Sequence, residues 1–320
     1  MTSPAMTLLG YVLEGRYRID GLIAHGGMSA VYRGLDLRLD REVAIKLMDQ
    51  RFAREPAFLE RFGREARSAA RIHHPHVVAV HDQGVHRQDG IELPYLVMEL
   101  VDGGTLRDLL NLRGSLDVAL ATAILEPVLA ALAAAHRADL VHRDIKPENV
   151  LIGRGGVLKV GDFGLVRAVT ATQHTTGNVI LGTVAYTSPE QVARGDADVR
   201  SDVYSAGILL YEMLIGAPPF TGDTALSVAY RHVNEDVPAP GDTQADLPPA
   251  IDDLVLRATR RDPALRPPDG AAFLLDLQRV RRGLRLPDTT IPVPPGRLDG
   301  DHDPAAPGSA QPPLGPRGTR

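Results

Sequence analysis

The chain has 320 residues, enough for one large domain or for two lobes with a core each. Its 44% hydrophobic and 23% charged residues are the mix of an ordinary globular protein, which excludes a fibre and wholesale disorder. A net charge of -5 with no Trp argues against a nucleic-acid partner, and the absence of Cys excludes disulfides, thiolate metal sites and thiol catalysis and fits a reducing compartment.

The first ten residues lack a basic n-region and Glu14 soon interrupts their short apolar run, so no signal peptide is read there. Alternating or apolar segments then predict strands over Tyr17–Ile23, Ala30–Asp36 and Glu42–Met48, separated by Gly and charged turns. A helix follows over about Ala57–Arg71, then strand-like runs at Val77–Val80 and Tyr95–Leu100. From Thr105 onward helical patterns dominate, over Leu116–Arg137, Val203–Ile215, Thr224–Val233, Ile251–Arg260 and Asp269–Arg282. The run from Val118 to Ala135 is nearly long enough for a membrane span. Glu126 and Pro127 in its middle, and its Leu/Ala composition, mark it instead as a core helix, so no span is expected in this chain. From Leu284 to Arg320 there are nine Pro and five Gly in 37 residues and no periodic apolar face, which predicts a disordered tail or linker. A small β-rich half (about 16–101) and a larger α-rich half (about 102–283) therefore predict an α+β, bilobal fold with a cleft between the lobes, after an extension over 1–15.

Several residues along this frame carry chemistry. Gly26-Gly27-Met28-Ser29-Ala30-Val31 lies between two predicted strands, where glycines let backbone amides approach an anion; an ordinary hairpin turn reads the same way. Val43-Ala44-Ile45-Lys46 puts a Lys in an apolar strand, as a snorkelling surface Lys would also do. Glu65 falls on the apolar stripe of the first helix with Phe58, Phe62 and Ala69, where a carboxylate needs a cation. Lys46 is a candidate, with Arg61 and Arg64 as alternatives. His142-Arg143-Asp144-Ile145-Lys146-Pro147-Glu148-Asn149 follows the long Ala-rich helix, and a predicted hairpin leads from it to Asp162-Phe163-Gly164. Two acids and an Asn on loops beside a short ribbon suit Mg²⁺. Each alone could be a turn or cap residue.

This ordered set resembles the protein-kinase signature, and most of all the bacterial eukaryotic-like serine/threonine kinases of the actinobacterial receptor type, over about Arg16–Gly283. The resemblance implies ATP and Mg²⁺, with Mn²⁺ as substitute, as cofactors, and protein substrates as partners. It implies that the loop Ile23, Ala24, His25, Gly26, Gly27, Met28, Ser29, Ala30, Val31 covers the phosphates. Lys46, paired with Glu65, would hold the α- and β-phosphates. Met98 would be the gatekeeper, with the backbone of Glu99 and Val101 receiving adenine, and Val31, Ala44 and Leu151 would sandwich the purine. Asp144 would be the catalytic base, Lys146 would contact the γ-phosphate, and Asn149 and Asp162 would bind the metal. Ser188-Pro189-Glu190 stands for Ala-Pro-Glu, with Glu190 pairing with Arg266. Asp202, opening the hydrophobic Val203–Ile215 helix, would brace the catalytic loop; a plain N-cap is the bland alternative. Ala24 and Ser29 depart from the family's first and third glycines, and a Cβ at each stiffens the flap.

Regulation is implied in the same way. Arg143 before the catalytic Asp marks kinases switched on by activation-loop phosphorylation, with Thr175 and Thr176 as the phosphorylated positions and Thr183 contacting Asp144 and Lys146. Receptor-type relatives pair back to back through their N-lobes; Arg16, Leu39 and Asp82 occupy the matching positions, with Arg16 facing Asp82 of the second copy in a weak homodimer. The expected location is cytoplasmic, with membrane tethering where the natural chain runs on beyond Arg320. The alternatives are a pseudokinase scaffold, disfavoured because Lys46, Asp144 and Asp162 are all present, and a small-molecule phosphotransferase, which should lack the Ser-Pro-Glu segment.

Overall fold

The computed structural model describes residues 8–26, 29–49, 56–88, 91–163 and 184–295. Strands β1 (Val12–Leu13), β2 (Tyr17–His25), β3 (Ser29–Asp36), β4 (Arg41–Met48), β5 (Val80–Gln88) and β6 (Ile91–Glu99) form one antiparallel sheet in the order β1-β2-β3-β4-β6-β5. Helix α1 (Pro56–Ala69) packs on one face. Strand alternation explains why β4 and β6 are so apolar. Val43, Ile45 and Leu47 join Tyr95 and Val97 against Leu13, Tyr17 and Ile19 on one face. Ala44, Met48, Leu96 and Met98 join Phe58, Phe62 and Ala66 of α1 on the other. Gly34 lets β2 and β3 close up: a Cβ there would stand 2.3 Å from the Arg18 carbonyl oxygen.

The expected strand over Val77–Val80 is displaced. Val77 makes only an isolated parallel bridge to Val160, and β5 begins at Val80 and runs on through a polar stretch without apolar alternation. Pairing supplies what periodicity lacked: Gly84 lies opposite Tyr95, whose phenol fills the space a side chain at 84 would occupy.

The larger lobe begins with β7 (Gly103–Thr105), which pairs with β8 (Val150–Gly153), itself paired with β9 (Leu158–Val160). Its helices are α2 (Leu106–Arg113), α3 (Val118–Arg137), α4 (Pro189–Arg194), α5 (Val199–Ile215), α6 (Ala225–Asn234), α7 (Pro240–Thr243), α8 (Pro249–Ala258) and α9 (Gly270–Gly283). Helix α2, which periodicity had not picked out, starts at a capping box between Thr105 and Asp108. Helix α3 is long and apolar enough to cross a membrane, yet it lies in the core of this lobe, and Glu126 on it accepts from Gln278 Nε2 at 2.9 Å. Helix α5 is buried on every side from Ser201 to Leu214. Its N-cap is Asp198, not Asp202: the Asp198 carboxylate accepts from Arg200 N at 2.7 Å, which leaves Asp202 one turn inside, free of capping duty.

The two lobes are stitched along β9. Val78 N donates to Val160 O (3.0 Å), Val160 N donates to His76 O (2.9 Å), and Lys159 Nζ meets Glu99 Oε1 (2.9 Å). The tail expected from residue 284 onward is corrected as far as 295. After α9 closes with Leu284 N on Val280 O (2.9 Å), the chain lays Ile291 partly buried against the main core and buries Pro294. Proline fixes φ, so this short stretch loses less entropy on docking than its composition suggested.

Candidate active site

Period two places Ala44 and Lys46 on the same face of β4, toward the cleft. Ala44 and Met98 are buried in a cluster that the partly buried Val31, Val101 and Leu151 complete, so residues from both lobes bound one apolar slot. Behind Met98 a hollow of about 10 Å³, room for a single water, is lined by Ala69, Val77, Val80, Leu96, Met98 and Phe163. The Glu99 amide is committed to Ala79 O at 2.8 Å, and its carboxylate holds Lys159. Ile23, Ala24, His25, Gly26, Ser29, Ala30 and Val31 form the β2–β3 hairpin, with Gly26 N donating to Ser29 O at 2.8 Å; Gly27 and Met28 lie outside the described residues. Ala24 pairs with Val31 beside a bulge and does not adopt a positive φ, so its Cβ is accommodated without backbone strain.

Glu65 is buried on the apolar face of α1, as its spacing predicted, but the carboxylate within 2.8 Å of Lys46 Nζ is that of Asp162. The expected Lys46–Glu65 pairing is corrected to that extent. Asp162 sits at φ 61, a left-handed conformation that Asp tolerates better than most residues, and this turns its carboxylate onto Lys46. Burial by itself would push the Asp162 carboxyl up; the Lys46 ammonium outweighs it and holds the group below the usual carboxylate range.

The loop 142–149 is positioned from beneath by Asp202. Its buried carboxylate accepts from His136 Nε2, His142 N and Arg143 N, each at 2.8 Å. Gly270 N donates to His136 Nδ1 (3.1 Å), so Nε2 carries the proton that Asp202 receives. His142 is fixed likewise: Asp144 N donates to Nδ1 (3.2 Å), which makes Nε2 the donor to Gly161 O (2.8 Å). Arg143 takes φ 70 within this frame. Asp144 then faces Lys146 Nζ (2.7 Å to Oδ2) and Asn149 Nδ2 (3.0 Å), and Gly161 N on Asn149 O (2.9 Å) lays Asp162 beside Asn149. Phe163 packs edge-on to His142 with ring centroids 4.5 Å apart.

This donor set fits a hard divalent cation that keeps waters and substrate phosphates as its other ligands. Asn149 and Asp162, whose backbones the Gly161 N–Asn149 O bond draws together, each carry a side-chain oxygen, and no group of three His, Cys, Asp or Glu that would make an all-protein cage occurs among the described residues. Replacing Asp202 by Asn turns one of its two acceptor oxygens into an NH2 donor that faces an N–H, and removes the charge from the rest. We expect a loss of about 1–3 kcal/mol in chemical denaturation, together with a fall in kcat larger than the change in nucleotide affinity, because the loop and not the slot is loosened.

Glu190 and Arg266 meet as expected, in a bidentate pair with both N–O distances at 2.8 Å and Ser201 Oγ donating to Glu190 at 2.6 Å. Thr175, Thr176 and Thr183 lie outside the described residues, as do Gly164 and residues 296–320. Arg16 and Asp82, the expected rim of a two-copy contact, meet within the single chain. Arg16 Nη1 lies 3.2 Å from Asp82 of its own chain and forks onto the buried Asp36 (Nη2–Oδ2 2.9 Å), so both charges are satisfied without a second copy. Leu39 is 57% exposed.

Sequence reasoning missed one buried node. Arg107 on α2 donates to Glu212 on α5 (2.7 Å), to the Tyr186 hydroxyl (2.6 Å) and to Glu148 (2.9 Å), and Tyr186 also donates to Glu212. It ties the segment after residue 184 to the loop 142–149. Glu212, the one charged residue in the run from Ala206 to Ile215, was the signal that could have found it. Burial first and the Glu212 charge second push the Tyr186 phenol well up, so it stays a donor.

A family model described as protein kinase domain matches residues 17–273. The serine/threonine-protein kinase PknL of Mycobacterium tuberculosis is 54% identical over 283 residues, 88% of this chain and 70% of the relative. PknA of the same species is 42% identical over 290 residues, 90% of this chain and 67% of PknA. PknB of Mycolicibacterium smegmatis is 43% identical over 278 residues, 86% of this chain and 44% of PknB. Among solved structures, a point mutant of the M. tuberculosis PknI kinase domain superposes with a TM-score of 0.67 at 28% identity, covering 84% of this chain and 97% of that one. With the Lys46–Asp162 pair, the loop 142–149 braced on Asp202 and the Glu190–Arg266 clamp all present, the chain belongs to the protein kinase domain family, as a bacterial eukaryotic-like serine/threonine protein kinase of the Pkn branch.

Proposed function

We propose that this kinase transfers the γ-phosphate of ATP, with Mg²⁺, to serine and threonine hydroxyls of proteins through Asp144, and that it phosphorylates its own activation loop at Thr175 and Thr176. The observation that supports this most is the convergence of Lys46, Asp162, Asn149, Asp144 and Lys146 at one end of the apolar slot. Adenine lies between Val31, Ala44 and Leu151, against the backbone of Glu99 and Val101, with Met98 limiting depth. Lys46 holds the α- and β-phosphates, Glu65 steadies α1 beside it, and the Ile23–Val31 hairpin covers them. Asn149 and Asp162 hold the metal, which when bound would neutralise charge on the phosphates. Asp144 orients the acceptor hydroxyl and takes its proton as the new P–O bond forms and the bond from the γ-phosphorus to the β–γ bridging oxygen breaks, so that ADP leaves with that electron pair, while Lys146 stabilises charge on the transferred group. Arg143 receives the loop phosphate, and Thr183 contacts Asp144 and Lys146. The work is done in the cytoplasm, where ATP is available.

A weak back-to-back dimer completes the proposal. It rests on the exposed Leu39, with Arg16 and Asp82 at its rim exchanging their partners on contact. Incubation with labelled ATP and a generic basic protein, followed by phosphoamino-acid analysis, should give phosphoserine and phosphothreonine. Peptide mapping should place phosphate on Thr175 or Thr176. Label on neither would end the activation-loop reading, and no transfer at all would favour a pseudokinase. The rate per molecule should rise with enzyme concentration and fall in Leu39→Asp; a flat dilution series for both would remove the dimer.

A further inference from the structure

Gly103 and Gly104 open the larger lobe side by side, but different neighbours require them. A Cβ on Gly103 would stand 2.1 Å from the Ile152 carbonyl oxygen across the β7–β8 pair, so strand pairing itself demands glycine. Gly104 has no positive φ, and the three atoms nearest to a Cβ there all belong to side chains. A Cβ there would strike Pro294 instead, 2.8 Å from Cγ and 3.3 Å from Cβ, and would graze Asp108 Oδ2 at 3.3 Å. The second contact of the same segment is at the β8–β9 connection, where a Cβ on Gly156 would stand 2.7 Å from the Ile291 carbonyl oxygen. Two glycines thus leave a shallow seat, and Ile291-Pro292-Val293-Pro294 fills it, with Ile291 partly buried on the main core and Pro294 buried.

The seat lies under the purine slot. Gly104 pairs with Ile152 and Thr105 with Leu151, the expected floor of that slot. Val101, its other lower wall, would meet a Cβ on Gly153 at 3.0 Å. Asp102 O accepts from Arg154 N (3.0 Å), one turn before Gly156. A segment resting on Gly104 and Gly156 together spans β7 and the β8–β9 connection, and so fixes the distance between the strand that follows residue 101 and the strand that carries Leu151.

We infer that Ile291 and Pro294 are positioning residues of the nucleotide site: the segment after α9 is a strap that clamps β7 to the β8–β9 connection and keeps Val101 and Leu151 in register for the purine. Docking costs little because three of the five residues from 291 to 295 are proline, which are partly ordered before they bind. The strap touches neither Asp144 nor Asp162, so its loss acts on nucleotide affinity and not on the transfer step. This inference rests on the purine-slot reading above.

The test compares the full chain with the double variant Ile291→Ser/Pro294→Ser and with the conservative Ile291→Val. Mg²⁺-ATP binding is measured by calorimetry, kcat at saturating ATP, and amide hydrogen exchange over 101–105, 150–160 and 285–293. We expect the double variant to bind ATP about three- to tenfold more weakly, as loss of pre-organisation does, with kcat within about twofold. Exchange should rise at 101–105 and 150–153 as well as at 285–293. Ile291→Val should keep parental affinity and exchange. The single variant Gly104→Ala, whose Cβ dislodges Pro294, should reproduce the affinity loss, which keeps the test open if the double variant folds poorly. ATP affinity unchanged in a variant whose 285–293 exchange has risen would overturn the strap. A parent chain that binds no Mg²⁺-ATP would overturn the purine-slot reading, and the strap's role with it.

Discussion

Replacing Asp144 by Asn is expected to lower kcat by about 10²–10⁴-fold while leaving the Kd for Mg²⁺-ATP within a few-fold of the parent. The carboxylate is flanked by Lys146 Nζ at 2.7 Å and by Asn149 Nδ2 at 3.0 Å, so it is held in place where it can accept a hydroxyl proton. Asparagine can keep the geometry and cannot take the proton. Asp162→Asn should behave differently, because its carboxylate is paired with Lys46 at 2.8 Å beside Asn149 and is proposed to serve the nucleotide and its metal. There the Kd for Mg²⁺-ATP should rise by at least an order of magnitude, with loss of charge-assisted contacts to the metal and to Lys46. Calorimetric titration of both variants, alongside single-turnover rates at saturating ATP, separates the two. Equal losses of ATP affinity would contradict the assignment of Asp144 to the acceptor and Asp162 to the nucleotide.

Arg266→Ala should cost about 3–5 kcal/mol of folding stability, as removal of one partner of a buried ion pair does. Arg266 is almost wholly buried. Besides its fork onto Glu190 it donates to the carbonyls of Arg260 (2.6 Å), Arg200 (3.0 Å) and Arg261 (3.0 Å), and its guanidinium lies over the Tyr204 ring. Removing it takes a buried donor from three carbonyls and leaves the Glu190 carboxylate with Ser201 Oγ but no cation. Burial alone would push the Glu190 carboxyl up; hydrogen bonds from Arg266 and Ser201 prevail and hold it below its usual value. A depressed folded-state pKa means that this pair's contribution is full above the unfolded glutamate pKa and fades as pH falls through the folded value. In the variant the sign reverses, since the stranded Glu190 now favours the proton. The gap between parent and Arg266→Ala should therefore be widest near pH 7 and shrink toward pH 4, measured by urea denaturation at each pH. A gap that grows on acidification would contradict the pairing. Arg266→Met/Glu190→Leu, which removes both charges, should recover a substantial part of the loss.

The reach of the sequence differed from element to element. Glu65 could be read as buried from its i+3 and i−4 spacing to Phe62 and Ala69, and the structure buries it at 7% exposure. Which carboxylate would stand within 2.8 Å of Lys46 could not be read, because Asp162 comes from another lobe and reaches Lys46 through a left-handed turn. The run Val80–Gln88 carries no alternation, since its strand is held by its neighbour β6 and not by its own apolar face. Asp202 looked like the start of a helix whose true cap lies four residues earlier, and only the fold brings His136, His142 and Arg143 around it.

By itself the sequence determined the β-rich and α-rich halves, the apolar strands, the core helices and which residues are candidates for the chemistry, because hydrophobic period and motif order are local properties of the chain. Tertiary structure decided charge pairs that neither period nor motif order names. Arg16 meets Asp82 of its own chain, and Arg107 meets Glu212 at 105 residues' separation. It also decided that Ile291 and Pro294, in a stretch whose composition reads as tail, rest on Gly156 and Gly104. Contacts between residues far apart in sequence leave no period to read. They follow from which surfaces the fold brings within a few ångströms, and a glycine that makes room for a distant proline looks, along the chain, like any other glycine.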